Sequence, residues 1–285
     1  MRRMLLAALA TAGLAGPALA ECPADDAVRQ LADNVLANRP SQAYPGLASM
    51  ADGYCAQDKL VALLAREWGP PVGYKLALTS AATQQQFGVA EPIRGTIFTR
   101  TIEMRSGAEV PAAFAAVPRI EADFLVRVKD AGVNEAGRDP VEILKHLDQV
   151  IPYIELPDLV LASGFTGPSL AAINAGARLG VLGRPIPVEA TPAFAERLEK
   201  MTVTMTDDTG KQLSQSVGAA VLGQPMNAVA FLAEDLKKAG RRLEPGQYLS
   251  IAGYSAAMPM VAGRTYTLTY AGLAEAPVAV TVHAK

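Results

Sequence analysis

Histidine is nearly missing from this 285-residue chain, which carries His146 and His283 and no other. A Ser-His-Asp apparatus is therefore poorly supplied, and His283 falls where chain ends fray. His146 sits in Ile143-Leu144-Lys145-His146-Leu147-Asp148, an amphipathic helical pattern, and reads as a surface or packing histidine. The phosphate-cradling patterns G-x-G-x-x-G and G-x-x-x-x-G-K-[ST] are absent, as are HExxH and EF-hand loops, which removes most cofactor enzymes. Charge of one sign is lacking too: 26 basic against 28 acidic side chains leave a net −2, no electrostatic case for a nucleic-acid partner. Cys22 and Cys55 are the two cysteines, and without a CxxC or a nearby histidine they argue against zinc. Beyond the first twenty residues no apolar run reaches the roughly 20 residues that span a bilayer.

Those first twenty, MRRMLLAALATAGLAGPALA, have the layout of a secretory signal peptide: Arg2 and Arg3, an apolar stretch from Met4, then Pro17 and Ala18-Leu19-Ala20. Cleavage after Ala20 leaves about 265 residues and, without the two arginines, 24 basic against 28 acidic groups, a net −4. Cys22 follows Glu21 rather than the small residue that lipid attachment requires. The expectation is a periplasmic or secreted protein with no membrane attachment once the leader is gone. In an oxidising compartment Cys22 and Cys55 can pair, tying the new N-terminus to the next helix. Two unpaired buried thiols are the alternative.

Ala24–Asn38 and Ala56–Trp68 carry leucines and valines at helical spacing, and Gly69-Pro70-Pro71 ends the second run. After the prolines the texture changes to short apolar runs between turn formers: Val72–Leu78, Thr96–Phe98, Ile120–Val128, Ile151–Leu156, Val203–Thr206, Tyr248–Ala252 and Tyr266–Tyr270. Helices are expected at Pro140–Gln149 and Asn227–Ala239. The pattern is α+β: a helical N-terminal layer, 21–70, packed on a mixed, β-rich body, 71–285, in a single domain.

Carboxylates are the remaining chemical resource. In Arg119-Ile120-Glu121-Ala122-Asp123-Phe124, two acids at i and i+2 face the same side of a strand. Held together among apolar neighbours they repel unless a proton or cation intervenes, and a hard divalent metal resolves the repulsion. Glu155, in Ile154-Glu155-Leu156-Pro157, is a third candidate. By spacing alone all three also suit solvent-edged strands. Lys75, centred in Gly73-Tyr74-Lys75-Leu76-Ala77-Leu78, either snorkels to the surface or faces a charge.

Gly73-Tyr74-Lys75-Leu76-Ala77-Leu78-Thr79, Gln84-Gln85-Gln86-Phe87-Gly88-Val89 and Pro92-Ile93-Arg94-Gly95-Thr96-Ile97-Phe98 resemble the opening motifs of the 2-keto-4-pentenoate hydratase family, in the fumarylacetoacetate hydrolase superfamily. The resemblance continues through Arg119–Asp123, Ile154–Asp158, Gly218–Val229 and Leu243–Tyr248, in order along nearly the whole mature chain. It implies a sandwich or roll of the superfamily's C-terminal-domain type and Mg²⁺ or Mn²⁺ held by Glu121, Asp123 and Glu155. It also implies an active-site lysine at Lys75, a small oxo-acid substrate and a homo-oligomer. By position, Asn174 in Ala172-Ile173-Asn174-Ala175-Gly176 is a substrate-binding asparagine. Two differences from the family stand out. Asp123 replaces a glutamate, one methylene shorter, and the segment around Asn174 lacks the family's acid and hydroxyl. Carbon–carbon hydrolysis needs a histidine-assisted water for which the N-terminal region has no histidine. The expected reaction is hydration of a small 2-hydroxy-2,4-dienoate or 2-oxo-enoate to a 4-hydroxy-2-oxo acid, with decarboxylation of a 2-oxo-enedioate or non-catalytic binding of an oxo-acid as alternatives.

Overall fold

A computed structural model describes residues 22–285; the leader lies outside the described residues. Helix α1 (Asp25–Leu36) buries Val28, Leu31, Ala32 and Val35 along one stripe. Helix α2 (Met50–Trp68) opens on a capping box in which Ser49 Oγ accepts from the Asp52 amide and the Asp52 carboxylate accepts from the Ser49 amide. This box starts the helix six residues earlier than the apolar spacing indicated.

Cys22 and Cys55 are joined in a disulfide across a sequence separation of 33, which decides between the two readings of these thiols. Beside it, Lys59 Nζ donates to the Pro23 carbonyl at 2.9 Å and pairs with Asp25 at 2.6 Å. Replacing both cysteines by alanine is expected to cost about 3–4 kcal/mol on the loop-entropy account. Denaturant unfolding of the double variant checks this, and a loss below about 1 kcal/mol would contradict it.

The rest of the chain runs β1 (Pro71–Ala77), α3 (Ala81–Phe87), β2 (Ile93–Phe98), β3 (Met104–Arg105), β4 (Ala108–Val110), β5 (Arg119–Val128), α4 (Pro140–Lys145) and β6 (Leu147–Leu156). There follow α5 (Gly167–Ala172), β7 (Leu179–Leu182), β8 (Ile186–Pro187), α6 (Pro192–Lys200), β9 (Thr202–Asp207) and β10 (Gln212–Val217). The last part holds α7 (Met226–Lys238), β11 (Tyr248–Gly253), β12 (Met258–Pro259), β13 (Thr265–Ala271) and β14 (Val278–Ala284). A large mixed sheet has the order β2-β1-β11-β5-β6-β7-β3, with β12 beside β5 and β8 beside β6; a second has the order β10-β9-β13-β14-β4.

The main core joins both sheets to α7. Phe124, Val126 and Ile154 of the large sheet meet Met205, Leu268, Tyr270 and Val280 of the second, with Leu232 and Leu236 from the helix. A separate core gathers Val28, Leu31, Leu60 and Leu64 from α1 and α2 with Ile93, Phe98 and Leu170. A helical layer on a mixed β body is what the sequence indicated. A second helix boundary is corrected. The helix expected over Pro140–Gln149 stops at Lys145, because Leu147 onward pairs antiparallel with β5, Val128 facing Leu147 and Val126 facing Val150. Strand pairing overrides the local helical spacing there. His146 caps that helix and hydrogen-bonds Asp130 through Nδ1 at 2.6 Å, a packing role as expected.

Candidate active site

Strand order does the assembling. Antiparallel β5 and β6 place Glu121 opposite Glu155 and Asp123 opposite Tyr153. Parallel β1 and β11 bring Lys75 level with Ser250, and β11 lies between β1 and β5. Lys75 and Glu155 thus start three strand spacings apart, at about 4.8 Å each. Their long side chains span the gap, and Lys75 Nζ lies 2.5 Å from Glu155 Oε1 with both side chains buried.

The second partner of Lys75 is a backbone group. Nζ donates to the Ala175 carbonyl at 3.0 Å. The turn that presents this carbonyl holds Asn174 and Ala175 at φ +57° and +52°, and Leu78, at the end of β1, has φ +59°. Three non-glycine residues in the left-handed region around one lysine are a local strain that the surrounding structure must hold. The turn can approach because residue 95 is glycine: a Cβ there would lie 2.6 Å from the Asn174 carbonyl oxygen and 3.1 Å from Lys75 Cγ.

Asn174 is buried, and its amide is fully engaged: Oδ1 accepts from the Thr96 amide at 2.7 Å and Nδ2 donates to the Thr96 carbonyl at 2.9 Å. The structure makes it a clamp between β2 and the turn rather than a side chain on the cavity. Asp123 is buried as well, accepting from Ser250 Oγ at 2.6 Å and from the Phe124 amide at 2.5 Å. Glu121 is half-buried and faces a cavity of about 390 Å³ that Lys75 also lines. The cover of that cavity comes from α3, the 157–170 segment and the 253–257 loop. Apolar spacing did not reveal α3, which buries no side chain, and α5 and α6 were also missed. The Ser80 cap on the Thr83 amide was the local signal for α3.

Electrostatics follow from the burial. Desolvation, then the charge on Glu155, raise the Glu121 carboxyl to about 8 against the pull of Lys75. Asp123 is pushed well above the usual carboxylate range, first by burial and next by Glu155, despite the hydrogen bonds from Ser250 and Phe124. Burial opposes the charge on Lys75, but Glu155, Glu121 and Asp123 together hold its proton more firmly than in water. Three carboxyl groups thus share one buried ammonium.

This excess of hard oxygen donors fits a divalent cation in chemistry. Among the described residues no three histidine, cysteine, aspartate or glutamate side chains converge closely enough to hold a metal as they stand. Lys75 engages Glu155, and Ser250 and the Phe124 amide engage Asp123.

No protein-family model matches the chain. Individual relatives do. It is 32% identical over 194 residues to the 2-keto-4-pentenoate hydratase of Paraburkholderia xenovorans (strain LB400), covering 67% of this chain and 68% of the relative. It is 30% identical over 231 residues to the 4-oxalocrotonate decarboxylase of Pseudomonas sp. (strain CF600), covering 81% of this chain and 84% of the relative. Among solved structures, 4-oxalocrotonate decarboxylase from Pseudomonas putida G7, complexed with magnesium and adipate, superposes with a TM-score of 0.79 at 26% identity over 92% of this chain and 97% of that one. Fold and sequence together define a lyase of the fumarylacetoacetate hydrolase superfamily. The chain belongs to the 2-keto-4-pentenoate hydratase family, which it shares with 4-oxalocrotonate decarboxylases, and is an enzyme of the hydro-lyase kind at family level.

Proposed function

We propose that this enzyme hydrates a small 2-hydroxy-2,4-dienoate, through its 2-oxo-enoate form, to a 4-hydroxy-2-oxo acid. The observation that carries the reading is the buried Lys75–Glu155 pair beside Glu121 and Asp123, with Lys75 and Glu121 lining a cavity of about 390 Å³. Glu121, Asp123 and Glu155 are the residues that would hold a divalent cation, Mg²⁺ or Mn²⁺. When bound, such a cation supplies Lewis-acid stabilisation of negative charge on a 2-oxo acid.

The chain's own groups do the rest. Lys75 Nζ, fixed by Glu155 and the Ala175 carbonyl, holds a positive charge where an enolate oxygen develops. Water then adds at C4 of the 2-oxo-enoate while C3 takes up a proton. Asn174 acts as a positioning residue, since its hold on Thr96 sets the turn that anchors Lys75.

Decarboxylation of a 2-oxo-enedioate is the second reading, favoured by the alignment over 84% of a decarboxylase's length. One assay separates the two. Loss of dienol absorbance that requires added Mg²⁺ or Mn²⁺ and disappears in Lys75→Ala supports catalysis at this site. Product analysis then distinguishes a 4-hydroxy-2-oxo acid from released carbon dioxide. Absence of any metal-dependent turnover across both substrate types would overturn the proposal.

Export by cleavage after Ala20 belongs to the same proposal, supported by the Cys22–Cys55 disulfide next to the cleavage point; N-terminal sequencing of the native protein tests it. So does assembly into a homo-oligomer, which light scattering tests.

A further inference from the structure

Strand β2 ends the large sheet, beyond β1. Edge strands present backbone groups to whatever can bond them, and on β2 side chains meet them. The Arg94 amide donates to the Tyr54 hydroxyl at 3.3 Å, and the Arg94 carbonyl accepts from Gln57 Nε2 at 2.8 Å. Two residues on, Asn174 holds both the amide and the carbonyl of Thr96. Between these two clamps lies Gly95, which pairs with Lys75 across the strands. Helix α2 thus supplies one half of the missing neighbour, and the turn after α5 supplies the other.

Gln57 does more than cover an edge. Its side chain is 1% exposed, and Nε2 gives its second proton to the Ala171 carbonyl, in the last turn of α5, at 2.9 Å. One planar amide, donating twice, therefore fixes the end of α5 against β2. Just beyond that end the chain presents the Ala175 carbonyl to Lys75 Nζ. Gly53, one turn before Gln57 on the same face of α2, lets α5 come this close: a Cβ there would lie 2.4 Å from the Pro168 carbonyl oxygen.

We propose that Gln57 is a positioning residue for Lys75: its amide holds β2 and α5 at the spacing that delivers the Ala175 carbonyl to Nζ. The helical N-terminal layer is then a working part of the active site. The kinetic consequence rests on the lyase reading above, whereas the placement of Lys75 does not.

Gln57→Met keeps the bulk and removes the donor. In the Mg²⁺-loaded mature protein it is expected to lower kcat about 10- to 100-fold, the scale of a small misplacement of a catalytic group, with KM near the parent's. In a Lys75→Met background the same substitution is expected to change kcat by less than about 2-fold, because the residue it acts through is gone. The second readout needs no turnover. Brief acetylation in EDTA, read lysine by lysine by mass spectrometry, is expected to modify Lys75 at least about 5-fold faster in Gln57→Met than in the parent. Gly53→Ala forces α5 away from α2 with the Gln57 amide still present, and is expected to produce the same two changes. The Cys22→Ala/Cys55→Ala protein shows the labelling that lost stability alone produces. Lys75 labelled as fast in that protein as in Gln57→Met would overturn the inference, as would the parent's labelling rate in Gln57→Met, or an equal loss of kcat with and without Lys75. Absence of turnover in the parent would bring down the lyase reading, and the labelling rates would still decide whether Gln57 places Lys75.

Discussion

Lys75→Met is expected to lower turnover about 10²–10³-fold, the scale of losing one preorganised charge at a developing oxyanion. It is also expected to destabilise the metal-free protein by about 3–5 kcal/mol, because it strands a buried carboxylate. Lys75 is 3% exposed and faces Glu155, Glu121 and Asp123, and among the described residues no second buried lysine accompanies it. Its removal leaves three acids in one dry region. Glu155→Gln should cost less, because Lys75 then keeps the fields of Glu121 and Asp123. Saturating Mg²⁺ should narrow the stability gap between Lys75→Met and the parent, since a cation then does what the ammonium did. Denaturant unfolding with EDTA and with Mg²⁺ reads all three. A Lys75→Met protein as stable as the parent in EDTA would show that the carboxylates are not competing for one positive charge.

The second large effect concerns pH. Glu121 titrates near 8 in the folded chain against 4.5 when unfolded. Between those values the folded protein holds a proton that the unfolded chain has released, so ∂ΔG/∂pH is negative. This contribution makes the metal-free protein less stable as pH rises from about 5 to 8, by up to about 1.4 kcal/mol per unit. Exposed acids such as Asp25 and Asp130 are held below their ordinary values by Lys59 and by the Gly132 amide and His146 respectively. Their contributions are lost only as pH falls through the acid range, outside this window. A divalent cation replaces the proton, so the gain in Tm on adding Mg²⁺ or Mn²⁺ should be small at pH 5 and largest near pH 8. Melting curves across that range, with EDTA and with metal, decide the matter. A metal-induced shift that is flat with pH would separate the metal from Glu121.

Much of this was legible in residue order. The Glu121-x-Asp123 pair on one strand face, Glu155 on another apolar strand and Lys75 centred in a third were visible as chemistry awaiting neighbours. Strand pairing brought them together, since no spacing states that β11 lies between β1 and β5. What stayed hidden has a common cause. The Ala175 carbonyl is a backbone group, Ser250 is an ordinary serine in a strand, and α3 is a short helix without an apolar stripe. None leaves a periodic apolar signal, and only the Ser80 cap marks α3 locally. Asn174 was legible as a residue, but its hold on the backbone of Thr96, 78 positions earlier, was not.

Tyr270 deserves its own reckoning. Its hydroxyl, from near the end of β13 in the second sheet, donates to the Asp123 carbonyl and accepts from the Tyr153 amide at 3.1 Å. At that rung the β5–β6 ladder is bridged by a phenol from another layer. The backbone carrying Asp123 therefore takes its position from the distance between the two sheets as well as from its own strand neighbours. Strand β13, far along the chain from Glu121, Asp123 and Glu155, thus becomes a spacer that gauges the floor of the site, and a change in its packing is transmitted there.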